Sequence, residues 1–179
     1  MNIKILAFAM TMSITATAQT PKLSKNNIDE VLHAMTLEEK ASLLIGGEYD
    51  FWSTTAVAGN SSRTVPGAAG STIAIPRLGI PETILTDGPS GVRINPTRPE
   101  TDKTFYATGF PVGSCLAATW NTELASRVGK AIGNEVKAYN CDVILGPGMN
   151  IHRNPLCGRN FEYYSEDPLL TGKIAVGYV

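Results

Sequence analysis

A helical repeat that leads directly into a short apolar run constrains the fold of this chain most strongly. Apolar residues recur at every fourth position in one stretch, namely Leu124, Val128, Ile132 and Val136. Asn121 stands just before this stretch as a candidate N-cap, so the pattern predicts a helix that begins after Asn121. The run Val143–Leu145 follows and predicts a buried strand. A helix that leads directly into a strand is typical of α/β folds.

Further strands predict a parallel sheet with helices on its faces. Residues 84–86 form a short apolar strand that delivers Asp87 to a turn, and residues 110–116 have the character of another strand end. In parallel sheets, ligands bind at the carboxyl ends of the strands. We therefore expect three loops to converge on one face of the sheet: residues 86–93, 117–121 and 146–168.

Two short helices are predicted ahead of the first strand. Residues 28–35 place apolar side chains at helical spacing. Thr36 and Glu39 have the spacing of a capping box, which predicts a second helix that runs through Leu44 and stops at Gly46.

Three stretches are predicted to be loops. Residues 48–72 are rich in Gly, Ser and Thr, residues 94–109 lack any periodicity, and residues 149–168 are long and polar. Pro168 then predicts a helix start, because the N–H that proline lacks is not needed in the first turn.

Residues 1–18 have the pattern of a secretory signal peptide. Lys4 supplies a positive start, residues 5–14 are an apolar stretch, and Ala18 closes a small-x-small site that leaves Gln19 as the new N-terminus. An apolar stretch of that length is too short for a membrane span, which needs about 20 residues. The alternative is that this stretch forms an apolar N-terminal helix of the domain.

Export would place residues 19–179 in the periplasm or outside the cell, where disulfides form. With three cysteines, at least one is left unpaired. We expect Cys115, Cys141 and Cys157 to be small buried residues, and a Cys115–Cys141 disulfide is the alternative.

Composition and motif tests exclude several kinds of partner. The 15 basic and 16 acidic residues give a net charge of −1, so the chain lacks the basic patch that nucleic-acid binding requires. Two His and three Cys are too few for a familiar zinc site, and His152 is expected to be structural. The turn after residue 145 lacks the spacing of a dinucleotide fingerprint, and neither a Walker A loop nor a nucleophile elbow is found. We expect no cofactor, no metal, and no membrane span after signal removal.

The first motif with chemical content is residues 85–93, LTDGPSGVR. A carboxylate such as Asp87, on a tight turn at a strand end, can accept charge-assisted hydrogen bonds from two neighbouring hydroxyls of a sugar. The alternative is that Asp87 only caps its own Asp-Gly-Pro turn.

The second motif is residues 150–168, NIHRNPLCGRNFEYYSEDP, which holds two Arg, two Glu, one Asp, two Tyr and one His. A loop with this density of charge either folds on its own ion pairs or faces a polar ligand. Arg159 and Glu162 are three residues apart and can pair if this stretch is helical. A solvated, internally paired loop is the alternative.

These stretches resemble glycoside hydrolase family 3, in its β-glucosidase branch. The resemblance covers nearly all of the chain after residue 18. Its anchor points are MTLEEK at residues 35–40, Ile80-Pro81, the Asp87 turn, Phe110-Pro111, the 150–168 loop and Thr171-Gly172.

The resemblance implies a fold, an activity and site residues. Members are retaining exo-glycosidases whose N-terminal domain is a (β/α)8 barrel of the TIM type, followed by an α/β sandwich. It implies that Asp87 and Arg159 bind hydroxyls of the non-reducing glucose at subsite −1. Arg93 matches a further position of the Asp-Gly-Pro motif that lies beside this subsite.

The same resemblance implies that no catalytic residue lies in these 179 residues. In the family a Lys-His pair, an Asp nucleophile and a Glu acid/base come later in the chain, so the nucleophile and the acid/base are expected beyond Val179. Retaining hydrolysis needs two carboxyl groups about 5–5.5 Å apart. The family pattern assigns Asp87 to hydroxyl binding and the other nearby carboxylates, Glu162, Glu166 and Asp167, to shaping the loop.

We therefore expect an incomplete (β/α)8 barrel, the N-terminal portion of a longer enzyme. Residues 169–179 have the character of an unfinished helix, and a closed eight-stranded barrel needs about 250 residues. The full-length protein is predicted to release terminal non-reducing β-D-glucose from β-glucosides or oligosaccharides, whereas this fragment alone is predicted to be inactive. The alternatives are a β-xylosidase or other family 3 exo-glycosidase, and a non-catalytic sugar-binding module.

Overall fold

Five α-helices and three strands make up the part of the chain that the computed structural model describes, residues 20–45 and 64–179. The first range holds helices α1 (Ile28–Ala34) and α2 (Leu37–Ile45). The second holds β1 (Gly70–Ser71), β2 (Ile84–Asp87), α3 (Gly113–Ala117), α4 (Thr122–Ala138), β3 (Val143–Leu145) and α5 (Pro168–Tyr178). Single 3-10 turns lie at Pro76–Leu78 and Asn160–Glu162. The predicted signal peptide, the helix stop at Gly46 and loop residues 48–63 lie outside the described residues.

The three strands form one open sheet in the order β1-β2-β3. β2 and β3 run parallel with Asp87 opposite Leu145, which confirms the predicted parallel pairing. β1 pairs antiparallel with β2 and places Gly70 opposite Leu85. The prediction that residues 70–71 are loop is wrong. Backbone hydrogen bonds such as Ala69 N–H to the Leu85 carbonyl, at 2.8 Å, hold this strand, and a Gly-Ser pair gives no side-chain pattern that reveals them.

α4 carries the helical repeat and packs on the main core. The Asn121 side chain accepts a hydrogen bond from the Leu124 N–H at 2.9 Å, which confirms the predicted N-cap. The buried residues of α4 are Ala125, Ile132 and Val136. α5 packs against α4, and both helices contribute to one hydrophobic cluster together with Ile84 of the sheet.

α5 begins at Pro168 as predicted and is helical up to the last residue but one. Val179 is its C-cap, and the Val179 N–H donates to the Ala175 carbonyl at 3.0 Å. The predicted helix in residues 169–179 is therefore confirmed as part of α5.

The predicted strand end at residues 110–116 is wrong, because Gly113–Ala117 is helix α3. The Leu116 N–H donates to the Val112 carbonyl at 3.1 Å and closes the first helical turn. A short apolar run does not distinguish a strand from a buried helical turn by periodicity. Consequently the loop at residues 117–121 follows a helix, and only two of the three loops expected to converge follow strands of the described sheet.

β3 is in its predicted place but is not buried as predicted. Val143 is 39% exposed and Leu145 is 46% exposed, while Ile144 between them packs against the core. Side chains on a strand alternate between two faces. The main core covers the face of the sheet that holds Ile84 and Ile144, whereas the opposite face, which holds Val143 and Leu145, is not covered by the described part of the chain.

The two N-terminal helices form a second, smaller core, and the predicted capping box is confirmed. The Glu39 N–H donates to the Thr36 hydroxyl at 3.2 Å, and the Thr36 N–H donates to the Glu39 carboxylate at 2.9 Å. Arg77 pairs with the same carboxylate and so joins α2 to the 3-10 turn at Pro76–Leu78. The core residues of this unit are Val31, Met35, Ile75 and Leu78.

All three cysteines are free thiols. The predicted burial is confirmed for Cys141 alone, because Cys115 and Cys157 are exposed. Cys115 lies on the outer side of short helix α3, an element that the sequence did not reveal. The alternative Cys115–Cys141 disulfide is not formed.

The two long loops in the second described range agree with the sequence. Residues 94–109 contain no helix or strand and only an isolated bridge between Arg98 and Thr101. Residues 149–167 are irregular apart from the 3-10 turn at Asn160–Glu162, and Pro168 already belongs to α5. Within residues 20–45 and 64–179, no helix combines the length and the apolar character that crossing a bilayer requires.

Candidate functional site

Asp87 and the 146–168 loop leave the sheet at the same edge. Asp87 ends β2 and Leu145 ends β3, and the two residues are partners in a parallel ladder. The carboxyl ends of parallel strands share one edge of a sheet, so the segments that follow them start side by side. This is the edge at which α/β folds bind their ligands.

The turn at residues 87–93 is closed by its own backbone. The Arg93 N–H donates to the Asp87 carbonyl at 3.0 Å, and the Gly91 N–H donates to the Gly88 carbonyl at 3.2 Å. The buried Thr86 hydroxyl donates to the Arg93 carbonyl at 2.8 Å from below. Gly91 has a φ of 128°, a conformation that L side chains rarely adopt. The turn therefore holds Asp87 at the strand end without using its carboxylate.

The Asp87 carboxylate faces Arg93. Asp87 Oδ2 lies 3.8 Å from Arg93 Nη1, and the two side chains are 47% and 52% exposed. An ion pair of this length in water contributes only about 0–1 kcal/mol to stability. Both charged side chains are thus about half exposed at the strand end.

Arg159 lies at the start of the 3-10 turn in the neighbouring loop, and its pairing with Glu162 is confirmed. Its Nε atom donates to Glu162 Oε1, and the Glu162 residue is only 9% exposed. The Arg159 side chain is 70% exposed. Because Nε makes this bond, the two terminal nitrogens are the donors of the guanidinium that remain for a ligand.

Helix α3 supports this 3-10 turn from behind. The Ser114 hydroxyl donates to the Phe161 carbonyl at 3.0 Å. A Cβ atom at Gly113 would lie 2.2 Å from the Glu162 carbonyl oxygen, so only glycine allows this approach. The sequence indicated no role for residues 113–114. The only sequence feature that could have indicated this contact is the Gly-Ser pair shortly after Phe110-Pro111. Such a pair does not distinguish a strand end from a helical turn.

Arg159 and Asp87 share one electrostatic environment. The hydrogen bond that Arg159 donates to Glu162 raises the pKa of Arg159, and the charges of Glu162 and Tyr163 raise it further. The negative charge of Asp87 also raises the pKa of Arg159, although Asp87 lies in a different loop. Asp87 therefore lies beside Arg93 and close enough to Arg159 for its charge to act on that guanidinium. The role of these three residues in ligand binding stays a prediction.

Two nearby carboxylates have structural partners of their own. Glu162 is buried and paired with Arg159. Asp167 caps α5 by accepting a hydrogen bond from the Leu169 N–H at 2.8 Å. These contacts fit the expectation that both residues shape the loop.

Val179 is a boundary in the sequence prediction and not a site residue. The expectation that the nucleophile and the acid/base lie beyond Val179 stays a prediction.

His152 is a partly buried ring beside the loop's aromatic residues. Its ring centroid lies 6.3 Å from that of Tyr163, and its backbone N–H donates to the Ser165 carbonyl at 3.1 Å. In the described ranges, no group of three or more His, Cys, Asp or Glu side chains is placed to hold a metal ion.

Comparison with protein families identifies the class. Residues 72–179 match the profile of the Glycosyl hydrolase family 3 N terminal domain. The chain belongs to glycosyl hydrolase family 3.

Individual relatives agree with this assignment. The chain is 42% identical over 156 residues to a thermostable beta-glucosidase B from Acetivibrio thermocellus, an alignment that covers 86% of this chain and 18% of that protein. It is 43% identical over 149 residues to an exo-alpha-(1->6)-L-arabinopyranosidase from Bifidobacterium longum, covering 81% of this chain and 17% of that protein. The chain thus spans less than a fifth of the length of these relatives.

A solved structure confirms the predicted fold class. The beta-glucosidase 3B of Thermotoga neapolitana, solved in complex with alpha-D-glucose, superposes with a TM-score of 0.74 at 52% identity, over 84% of this chain and 20% of that one. The described residues are accordingly an α/β portion of the TIM-type N-terminal domain of this family, with an open sheet.

Proposed function

We propose that this chain supplies part of the glucose-binding subsite of a retaining β-glucosidase. The full-length protein would release terminal non-reducing β-D-glucose from β-glucosides or oligosaccharides. The observation that carries the proposal is that Asp87 and Arg93 share one turn at the end of β2, while Arg159 lies in the loop that follows the parallel partner strand β3. The similarity to a beta-glucosidase that was solved with glucose supports it.

The charges at this site suit a sugar. A carboxylate accepts hydrogen bonds and a guanidinium donates them, so the pair can recognise hydroxyls of one pyranose ring from two sides. Asp87 would accept from two neighbouring hydroxyls, and the terminal nitrogens of Arg159 would donate to hydroxyl oxygens. Arg93, which lies 3.8 Å from Asp87, would orient that carboxylate and lie beside the subsite.

The proposal places the reacting carboxyl groups beyond Val179 in the full-length protein. Retaining hydrolysis needs a nucleophile and an acid about 5–5.5 Å apart. Here Glu162 and Asp167 are engaged in structural contacts, and Asp87 serves binding in the proposal. We expect these 179 residues by themselves to show no turnover at any pH.

A pentopyranoside is the second candidate substrate. The similarity to an arabinopyranosidase favours it, because that enzyme is named for a six-membered-ring pentose. Xylose has the same ring size, so a β-xylosidase belongs to the same alternative. The three charged residues would bind ring hydroxyls in either case. The group at C5 would decide between glucose and xylose, and the orientation of the C4 hydroxyl would in addition separate arabinose from both. A non-catalytic sugar-binding module is the alternative outside the enzyme class.

We also propose that the protein is exported to the periplasm or secreted. The support is the charge, apolar stretch and small-residue site of residues 1–18. Export would bring the site to glycosides outside the cytoplasm.

The deciding experiment uses the full-length protein, expressed from the complete open reading frame that encodes residues 1–179. Its product is assayed with 4-nitrophenyl β-D-glucoside, β-D-xyloside and α-L-arabinopyranoside at equal concentration. We expect the glucoside to be the best substrate by kcat/KM and glucose to inhibit competitively. Preference for either pentoside would favour the second candidate. Sugar binding without turnover of any of the three would favour the binding module.

A further inference from the structure

We propose that Glu135, on α4, is a positioning residue that holds the Asp87–Arg93 turn through residues 106–110. The kinetic part of this proposal rests on the proposed function of that turn. Glu135 is remote in sequence from the binding residues, and its side chain contacts a loop that the sequence presented only as an irregular excursion.

Glu135 binds that loop with both carboxylate oxygens. The Thr108 N–H donates to Oε2 at 3.0 Å, and the Thr108 hydroxyl donates to Oε1. Four residues later, the Tyr139 hydroxyl donates to the Tyr106 carbonyl. Residues four apart lie on one side of a helix. α4 and its C-cap residue Tyr139 therefore hold residues 106–108 at two adjacent points.

The held loop lies directly against the turn. The Thr108 carbonyl oxygen would be 2.2 Å from a Cβ atom at Gly91, so the two backbones are in close contact there. The Phe110 N–H donates to the Ser90 carbonyl at 2.8 Å. A shift of Thr108 would therefore be transmitted to residues 90–91.

Backbone hydrogen bonds within the turn connect residues 90–91 to Asp87. The Gly91 N–H donates to the Gly88 carbonyl, and the Arg93 N–H donates to the carbonyl of Asp87 itself. The helix that carries Glu135 is fixed in place, because Ile132 and Val136 on either side of Glu135 are buried in the main core. A continuous set of contacts thus runs from the core helix to Asp87.

The geometry makes a conservative substitution informative. A Gln side chain can accept from the Thr108 N–H with its oxygen and donate to the Thr108 hydroxyl with its amide, since a hydroxyl both donates and accepts. Glu135→Gln should therefore preserve the connection, whereas Glu135→Ala removes both bonds. Asn134→Ala is the matched control, because Asn134 is an exposed neighbour on the same helix.

The first test measures hydrogen exchange in the full-length protein, without reference to activity. In Glu135→Ala we expect amides of residues 105–110 and of residues 88–93 to exchange about tenfold faster, while peptides from α5 are unchanged. Glu135→Gln and Asn134→Ala should match the wild type. Faster exchange at 105–110 alone would overturn the proposal, and so would equal acceleration throughout the core.

The second test measures whether the effect reaches the substrate through Asp87. We expect Glu135→Ala to lower kcat/KM for the aryl β-glucoside by about 10- to 100-fold, the scale of a misplacement of about 1 Å. In an Asp87→Ala background, Glu135→Ala should have a much smaller effect, because the main group that it positions is gone and only Arg93 of that turn remains. An equal loss in both backgrounds would overturn the proposal. If the protein hydrolyses no glycoside, the proposed function fails, and the exchange experiment still decides the role of Glu135.

Discussion

The Asp87 carboxylate lies 3.8 Å from the Arg93 guanidinium, and the two residues are the ends of one turn. Their backbones are joined by a hydrogen bond of 3.0 Å between the Arg93 N–H and the Asp87 carbonyl. The backbone bond fixes the turn, so the two charged side chains are not needed to close it. A strand end that presents exposed charge in this way is suited to binding a polar ligand.

Removal of the Asp87 carboxylate should abolish most of the activity of the full-length protein. Each lost charge-assisted hydrogen bond costs about 1.5–3 kcal/mol, so Asp87→Ala should lower kcat/KM at least about 100-fold if two hydroxyls are bound. Steady-state kinetics with an aryl β-glucoside measures this. Asp102→Ala, an exposed acid in the 94–109 loop, is the control and should be silent. Wild-type kinetics in Asp87→Ala would refute the assignment.

Arg159→Lys should be harmful although it conserves charge. Lysine offers a single ammonium, so it cannot donate to Glu162 through Nε and to a sugar through the terminal nitrogens in a fixed plane. We expect a loss of kcat/KM. We also expect a lower melting temperature, because the buried Glu162 carboxylate would lose the hydrogen bond that Arg159 Nε donates to it. Arg153→Lys, an exposed position of the same loop, should leave both unchanged. If Arg159→Lys is silent, Arg159 does not act as a planar donor.

Two glycine-to-alanine variants should have opposite effects on stability. Gly113→Ala places a Cβ atom 2.2 Å from the Glu162 carbonyl oxygen and should lower the free energy of unfolding. Gly133→Ala, in the middle of α4, meets no atom within 4 Å and should raise it by about 0.5–1 kcal/mol. Denaturant unfolding of the full-length protein measures both. A stabilising effect of Gly113→Ala would show that α3 does not pack against the 3-10 turn as described.

The three thiols should differ in reactivity. Burial raises the pKa of the Cys141 thiol, and the charge of neighbouring Asp142 raises it further. A raised pKa means less thiolate at a pH of about 8, so iodoacetamide should modify exposed Cys115 and Cys157 well before Cys141. The Cys141 rate should keep rising as the pH increases further. Mass spectrometry of alkylated peptides measures this, and unfolding in urea should remove the protection of Cys141.

Export should leave a defined N-terminus. Intact-mass and N-terminal peptide analysis of the protein recovered from the periplasm or medium should show a chain that starts at Gln19, with or without cyclisation of that residue. A protein that retains Met1 in the cytoplasm would contradict the proposed signal peptide and would assign residues 1–18 to the domain.

The sequence by itself was sufficient for the elements that depend on local contacts. The α4 repeat, the Asn121 cap and the Thr36–Glu39 capping box all involve residues within one or two helical turns, so their spacing is visible in the chain. The Arg159–Glu162 pair is local in the same way. The turn that follows Asp87 was also recognisable, because its residues are consecutive in the chain.

The tertiary structure alone decided the features that depend on distant partners. β1 exists only because residues 69–72 form hydrogen bonds with the β2 segment. Val143 and Leu145 of β3 are exposed because they lie on the face of the sheet that the main core does not cover. Residues 113–117 form a helix where the apolar run allowed either a helix or a strand. The contact of Glu135 with Thr108 spans 27 positions. Local spacing encodes hydrogen bonds between near neighbours, whereas burial and long-range pairing are set by which segments the folded chain brings together.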